Sequence, residues 1–181
     1  FWGKVPLVNA SAFIFSVHAS GHRELVPGFN FYGRWKPAQE MGAWYGGELS
    51  RCRLYSSVEM IVPVPLHIRK TLGRGYNQSE YIARGIASEL GVPVDTRSVQ
   101  RHKHNPSQAQ KEHRERWENV EGIFSVPRPA RLSGKHILLV DDVLTTGATI
   151  SSCAESIIEA APDAHISIAT LAVSPHHIHT A

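Results

Sequence analysis

Two rhythms of apolar and polar positions run along this chain, and the switches between them mark its elements. The runs Met60 to Val64 and Ile137 to Val140 are apolar without alternation, which predicts strands buried on both faces in a parallel sheet. Ile166 to Val173 predicts a final strand of the same sheet. Between them the spacing turns helical. Ile82, Ala83, Ile86, Ala87 and Leu90 share one face of a helix over 78–90, and Ile150, Cys153, Ala154, Ile157, Ile158 and Ala161 share one face of a helix over 148–161. A third helix is expected from Pro37, placed as a first-turn proline, through Met41, Trp44, Tyr45 and Leu49 to about Leu54. Gly42, Gly46 and Gly47 weaken that helix and are understandable if they allow close packing. Further short strands are expected at Ala12–Val17, Glu24–Phe31, Val92–Val99 and Ile123–Val126. Asn77 with Glu80 predicts a capping box, and Gly91 followed by Pro93 a helix stop.

Composition narrows the class. At 181 residues the chain suits one α/β domain. A net charge of +3 and a pI near 9.0 are only mildly basic, so they do not by themselves indicate a nucleic-acid coat and suit small anionic ligands equally. Cys52 and Cys153 are far apart and form no C-x-x-C pair, which points away from a zinc site or disulfide framework and fits a reducing cytoplasm. No apolar run approaches the ~18 residues of a membrane span, and the N-terminal residues lack the layout of a secretory signal. The chain opens on Phe1 rather than Met, as a fragment or processed chain would.

The candidate chemistry concentrates after the strand at 137–140. Asp141 and Asp142 follow it directly, and two adjacent carboxylates repel unless solvent, a cation or hydroxyl donors take up their acceptor capacity. A polyol or metal-bound ligand meets that need. In a continuing strand the two would point to opposite faces, so joint action requires the chain to turn out of the sheet at the pair. Thr145, Thr146, Gly147, Ala148 and Thr149 then offer hydroxyls, backbone N–H groups and one residue free to take positive φ at a helix N-terminus, which is chemistry for a single phosphate. No Gly-rich run ending in Lys-Ser or Lys-Thr is present, which excludes a Walker-type triphosphate site. A phosphorylated sugar fits. Upstream, the loop LHIRKTLGRGYNQ carries Arg69, Lys70 and Arg74 with Gly73 and Gly75, able to wrap a polyanion or simply to be solvated. From Arg101 to Arg116 the chain is crowded with His102, Lys103, His104, Lys111, His113 and Arg114, while Lys111 with Glu115 and Glu112 with Arg116 are spaced as the solvated pairs of a surface helix. The spacing of His102, His104 and His113 matches no closed metal-ligand set. Direct binding of single-stranded DNA calls for a basic groove with aromatic platforms, and the aromatics lie away from this basic segment in sequence.

Four hydrophobics, two acids and a Thr-Thr-Gly-x-Thr loop closely resemble the phosphoribosyl-pyrophosphate signature of type I phosphoribosyltransferases. The resemblance implies a three-layer α/β/α fold with a mainly parallel central sheet, residues 1–55 forming a small N-terminal hood, 56–175 the core and 176–181 a tail. It implies that Asp141 and Asp142 bind the ribose hydroxyls and, with Arg74, carry the reaction. Thr145, Thr146, Gly147, Ala148 and Thr149 would hold the 5′-phosphate, and His67, Arg69, Lys70, Arg74 and Gly75 the pyrophosphate. Arg101, His102, Lys103 and His104 would begin a lid that closes over it. Mg²⁺ would arrive with phosphoribosyl pyrophosphate, with no direct protein ligand assigned. VPVPLH, RGYNQSE, Gln108 and Arg116-Trp117-Glu118-Asn119-Val120, followed by the Asp-Asp loop, are similar to the ComF family, whose motifs span roughly residues 58–173. That family implies a cytoplasmic protein linked to natural competence and DNA uptake. It would bind phosphoribosyl pyrophosphate or a nucleoside 5′-monophosphate, act as a transferase or as a non-catalytic sensor or scaffold, and have DNA-uptake proteins or a second copy as partners. Two departures stand out. ComF proteins usually begin with a cysteine-rich zinc-binding segment that this sequence does not contain, and where relatives tend to show Lys-Tyr-x-Gly it reads Asn30-Phe31-Tyr32-Gly33.

Overall fold

The unbroken apolar runs become the inner strands of one parallel sheet. The structure is a computed structural model that describes residues 5–15, 35–66, 75–102 and 122–173. In chain order the elements are β1 (Leu7–Phe15), α1 (Trp35–Arg51), β2 (Met60–Pro63), α2 (Gln78–Leu90), β3 (Gln100–Arg101), β4 (Phe124–Ser125), β5 (His136–Leu144), α3 (Ala148–Ala160) and β6 (His165–Val173). Four strands lie in the order β1, β6, β5, β2, every neighbouring pair parallel, while β3 and β4 form a separate antiparallel pair. Because the sheet is parallel, the carboxyl ends of β2, β5 and β6 gather on one edge, where such sheets place ligands.

Burial on both faces is what makes β5 a strand. Ile137, Leu138, Leu139 and Val140 are each fully buried, and at roughly 1.5–3 kcal/mol per side chain this outweighs the ~1–2 kcal/mol of backbone entropy lost per residue. Alternate residues feed different layers. Ile137 and Leu139 join Ile166 and Ile168 against Ile150, Cys153, Ala154 and Ile157 of α3. Leu138 and Val140 join Ala169 and Leu171 against α1 and α2, through Ala38, Tyr45, Leu49, Ile82, Ala83 and Ile86. The result is the expected α/β/α sandwich.

Several sequence expectations shift. The helix expected from Pro37 begins at Trp35 and ends at Arg51, with Leu54 in a short 3-10 turn (Arg53–Tyr55). The first expected strand runs Leu7–Phe15 instead of Ala12–Val17, and Glu24–Phe31 lies outside the described residues. Across residue 55, β1 pairs with β6 from Leu7 to Phe15, and α1 packs against α2. Val92–Val99 is not a strand but a single parallel bridge of Val94 to Ile61. Asp95 causes this. Its carboxylate accepts Arg97 N (2.8 Å), Ser98 N (2.9 Å) and Ser98 Oγ (2.7 Å), which curls the chain into a turn.

The glycines of α1 sort themselves by position. A Cβ on Gly42 would fall 2.3 Å from Ile82 O, and one on Gly85 of α2 would fall 2.1 Å from Gln39 O, so both sit where the helices touch backbone to backbone. Gly47 faces open space and gains nothing of the kind.

Candidate functional site

The strand carrying the acidic pair does not end where the acids begin. β5 continues to Leu144 and stays in register with β6, Asp141 opposite Thr170 and Leu144 opposite Val173. The expected turn out of the sheet at Asp141 is therefore corrected: the turn comes at Thr145. Asp141 Oδ1 accepts Ser79 Oγ at 2.9 Å and Asp142 N at 3.0 Å, while Asp142 Oδ1 accepts Val143 N at 2.7 Å. Burial, and then the neighbouring Asp142 charge, push the Asp141 carboxyl up to about 8; its hydrogen bonds from Ser79 and Asp142 N pull the other way.

The loop behind the pair has the shape its sequence implies. Gly147 stands at φ 78° and ψ −6°, a left-handed conformation at the N-cap of α3. Only glycine takes this region without strain. Ser151 N donates to Gly147 O at 2.9 Å, opening the helix, and Thr146 Oγ1 accepts Ala148 N at 3.4 Å. Thr145 is exposed, Thr146 and Thr149 are half-buried, and the Ala148 methyl is buried. An anion set here would meet the positive end of a helix and two hydroxyls.

Beside it, the basic loop is closed by a side chain that the sequence suggested as a cap. Asn77 makes no side-chain cap on α2; its Nδ2 donates to Val64 O at 3.1 Å and so staples the two ends of the loop. Glu80 does not complete a capping box either, because it pairs with Arg84 at 2.7 Å. Gly75 has φ 84°, and with Pro63, Pro65 and Asn77 it lines a cleft of about 330 Å³. His67, Arg69, Lys70 and Arg74 lie outside the described residues, as do Lys103 and His104.

Arg101 and His102 are described, and both belong to the β3–β4 pair. His102 N donates to Ile123 O at 3.0 Å, and its Nε2 is bonded to Ser125 Oγ. Arg101 is half-buried over the Phe124 ring, 5.5 Å from its centroid, and burial holds its guanidinium below the ordinary range, with Asp141 pulling the other way. Reading the sequence missed Ser79, whose buried hydroxyl joins α2 to the acidic pair. Its only signal was a serine in the first turn of a helix that follows a shaped loop. Cys153 is fully buried, and burial, then Asp141, hold its thiol far above the ordinary range, so it is a core residue. Among the described residues no group of three His, Cys, Asp or Glu side chains could hold a metal ion, and no helix is long and apolar enough to cross a membrane.

A parallel α/β/α sheet with two acids and then a left-handed glycine opening a helix at the carboxyl end of one strand defines a class. The phosphoribosyl transferase domain matches residues 77–178, more than half of the chain, and the chain belongs to that family. The narrower resemblance is met by name. The chain is 34% identical over 97 residues to DNA utilization protein YhgH of Salmonella typhi, covering 54% of this chain and 42% of that one. It is 33% identical over 94 residues to competence protein F of Haemophilus influenzae, covering 51% and 41%. The match thus spans less than half the length of these relatives. A solved hypoxanthine phosphoribosyltransferase from Staphylococcus aureus is similar over 81% of this chain and 68% of its own, at 13% identity and a TM-score of 0.49.

Proposed function

We propose that the chain binds phosphoribosyl pyrophosphate together with Mg²⁺ and transfers the phosphoribosyl group to an acceptor. The observation that carries this is the succession on β5 and α3: two carboxylates at a strand end, then a left-handed Gly147 opening a helix, beside a loop stapled by Asn77. The carboxylates accept the ribose hydroxyls, and the Thr145–Thr149 loop takes the 5′-phosphate. Gly75 and the basic residues of 67–74 meet the diphosphate. As that group leaves C1, negative charge grows on its oxygens, and fixed donors there lower the barrier because they need no reorganisation. Mg²⁺ suits a site with few protein ligands, since it keeps several waters and rides on phosphate oxygens; when bound it supplies charge neutralisation to the diphosphate.

The relatives are named for competence and DNA utilization, not for a reaction. That favours a second reading, in which the same pocket serves as a sensor or scaffold in handling incoming DNA. One experiment separates the two. The chain is titrated with phosphoribosyl pyrophosphate and Mg²⁺, and pyrophosphate release is followed with a panel of purines, pyrimidines and an ammonia donor. Turnover supports the transferase, and binding without turnover the sensor. In the Asp141→Asn/Asp142→Asn double variant, each lost charged hydrogen bond should cost about 1.5–3 kcal/mol of binding. An unchanged titration there ends the ribose assignment.

A further inference from the structure

We propose that Trp35, Tyr81 and Tyr76 form a base-stacking platform for single-stranded nucleic acid, apart from the sugar-phosphate pocket. The fold brings these rings together from separate places: Trp35 opens α1, Tyr81 stands in the first turn of α2, and Tyr76 just precedes that helix. Trp35 and Tyr81 stack with their centroids 5.2 Å apart and 29° between their planes, and Tyr76 meets Tyr81 edge-on at 5.5 Å and 82°. Stacked and edge-to-face contacts are the favoured aromatic arrangements, so the rings hold one another before any ligand arrives. Rings already held in place lose little entropy on binding. Yet the Trp35 side of the stack is not covered: Trp35 remains 41% exposed. With Gln39, Tyr81, Arg84 and Val94 it lines a cleft of about 570 Å³, concave and large enough for a planar ring system.

The charges suit a strand better than a free nucleotide. Lys36 Nζ lies 5.7 Å from the centre of the Trp35 ring, and Arg84 stands in the cleft wall with its side chain 50% exposed. Arg84 gives Nε and Nη2 to Glu80 Oε1, and a guanidinium has further donors for a phosphate. A base within a strand has a phosphate on each side, which two separate cations can meet; a free mononucleotide has a phosphate on one side alone. The Gln39 amide both donates and accepts, so it tolerates any base edge. Stacking is equally indifferent to sequence, because every base has a π-face. A duplex hides those faces in its own stack, which leaves unpaired strands as the ligand. The platform also turns away from the acidic pair. Ser79, which bonds Asp141 at 2.9 Å, and Tyr81 are two positions apart on α2, about 200° around the helix. The proposal therefore stands without the sugar-phosphate reading.

The test follows fluorescence anisotropy of a labelled oligothymidylate of about 12 nucleotides, beside an abasic strand of equal length, the same strand as a duplex, and free thymidine 5′-monophosphate. The single strand is expected to bind at least about tenfold more tightly than the other three. Trp35→Ala and Tyr81→Leu should each weaken it by about tenfold, the scale of losing one stacking ring, while Trp35→Phe and Tyr81→Phe keep a ring and most of the affinity. Circular dichroism confirms that each variant is folded. Lys36→Gln leaves every ring in place and should lower the salt dependence of binding by about one unit of slope, which decides the matter should the ring variants fail to fold. The proposal is overturned if the unaltered protein does not bind the strand, if the abasic strand or the mononucleotide binds as well, or if folded ring variants bind unchanged. Displacement of the strand by saturating ribose 5-phosphate would refute the separation of the two sites. Gly147→Val, which removes the phosphate loop, should bind the strand as the unaltered protein does. A protein that takes the strand but neither ribose 5-phosphate nor phosphoribosyl pyrophosphate would end the sugar-phosphate reading and leave the platform standing.

Discussion

Gly147 and Cys153 are separated by six positions and make opposite demands on their surroundings. At φ 78° Gly147 holds a conformation that a β-branched side chain reaches only with strain of about 1–3 kcal/mol. Gly147→Val is therefore expected to abolish binding of ribose 5-phosphate while circular dichroism still shows a folded chain. Retained affinity would mean that the loop takes no phosphate. Cys153 is fully buried, with a thiol held protonated by burial. A maleimide should therefore label half-buried Cys52 first and reach Cys153 only as the chain unfolds, as mass spectrometry of timed samples would show. The positive φ of Gly147 was legible in the Thr-Thr-Gly-x-Thr pattern, because only one residue there lacks a Cβ. The bond from Ser79 to Asp141 was not legible, since 62 residues separate them and nothing local couples them.

At the scale of elements, the α1–α2 seam and the ends of β5 carry the consequences. Gly85→Ala would drive a Cβ into Gln39 O at 2.1 Å and should destabilise the fold by about 1–3 kcal/mol. Gly47→Ala meets nothing within 4 Å and should stabilise it by up to about 1 kcal/mol. Urea titrations of the two variants should move the midpoint in opposite directions. β5 also starts on a buried histidine. His136 Nδ1 is 2.8 Å from Ser57 Oγ, and its Nε2 is 2.9 Å from Ser167 Oγ. Burial first, then the charge of His165, hold His136 below the ordinary imidazole range, against the pull of Ser57 and Glu59. A depressed folded pKa contributes stability that is present above the unfolded value of about 6.5 and lost as the pH falls through the folded value. The melting temperature should thus drop on acidification below about pH 6.5, and His136→Gln should flatten that drop; an equally steep decline in the variant would place its cause elsewhere.

At the scale of the whole molecule, a ligand that binds only the folded chain should stabilise all of it. Phosphoribosyl pyrophosphate with Mg²⁺ at about 100 times its dissociation constant is worth about 2.7 kcal/mol, so thermal unfolding should shift upward with ligand concentration. Absence of any shift at saturating ligand would contradict the proposed pocket. By itself the sequence determined the class of fold, the parallel strands at Met60 to Pro63 and Ile137 to Val140, the helix 78–90 and the left-handed turn at Gly147. These follow from local rules: an unbroken apolar run can be buried only on both faces, a 3.6-residue period only on one side of a helix, and a left-handed turn needs a glycine. Tertiary structure alone decided what depends on partners distant in sequence. β6 kept Asp141 and Asp142 in a strand by offering hydrogen bonds as far as Val173. Asp95 bent an expected strand into a turn once Arg131 and Ser98 surrounded it. Asn77 left its capping role to bond Val64 O, and Arg101 came to rest over the Phe124 ring once β3 and β4 paired. In each case a polar group had more than one local option, and the burial of its neighbours selected which hydrogen bond or ion pair it could make.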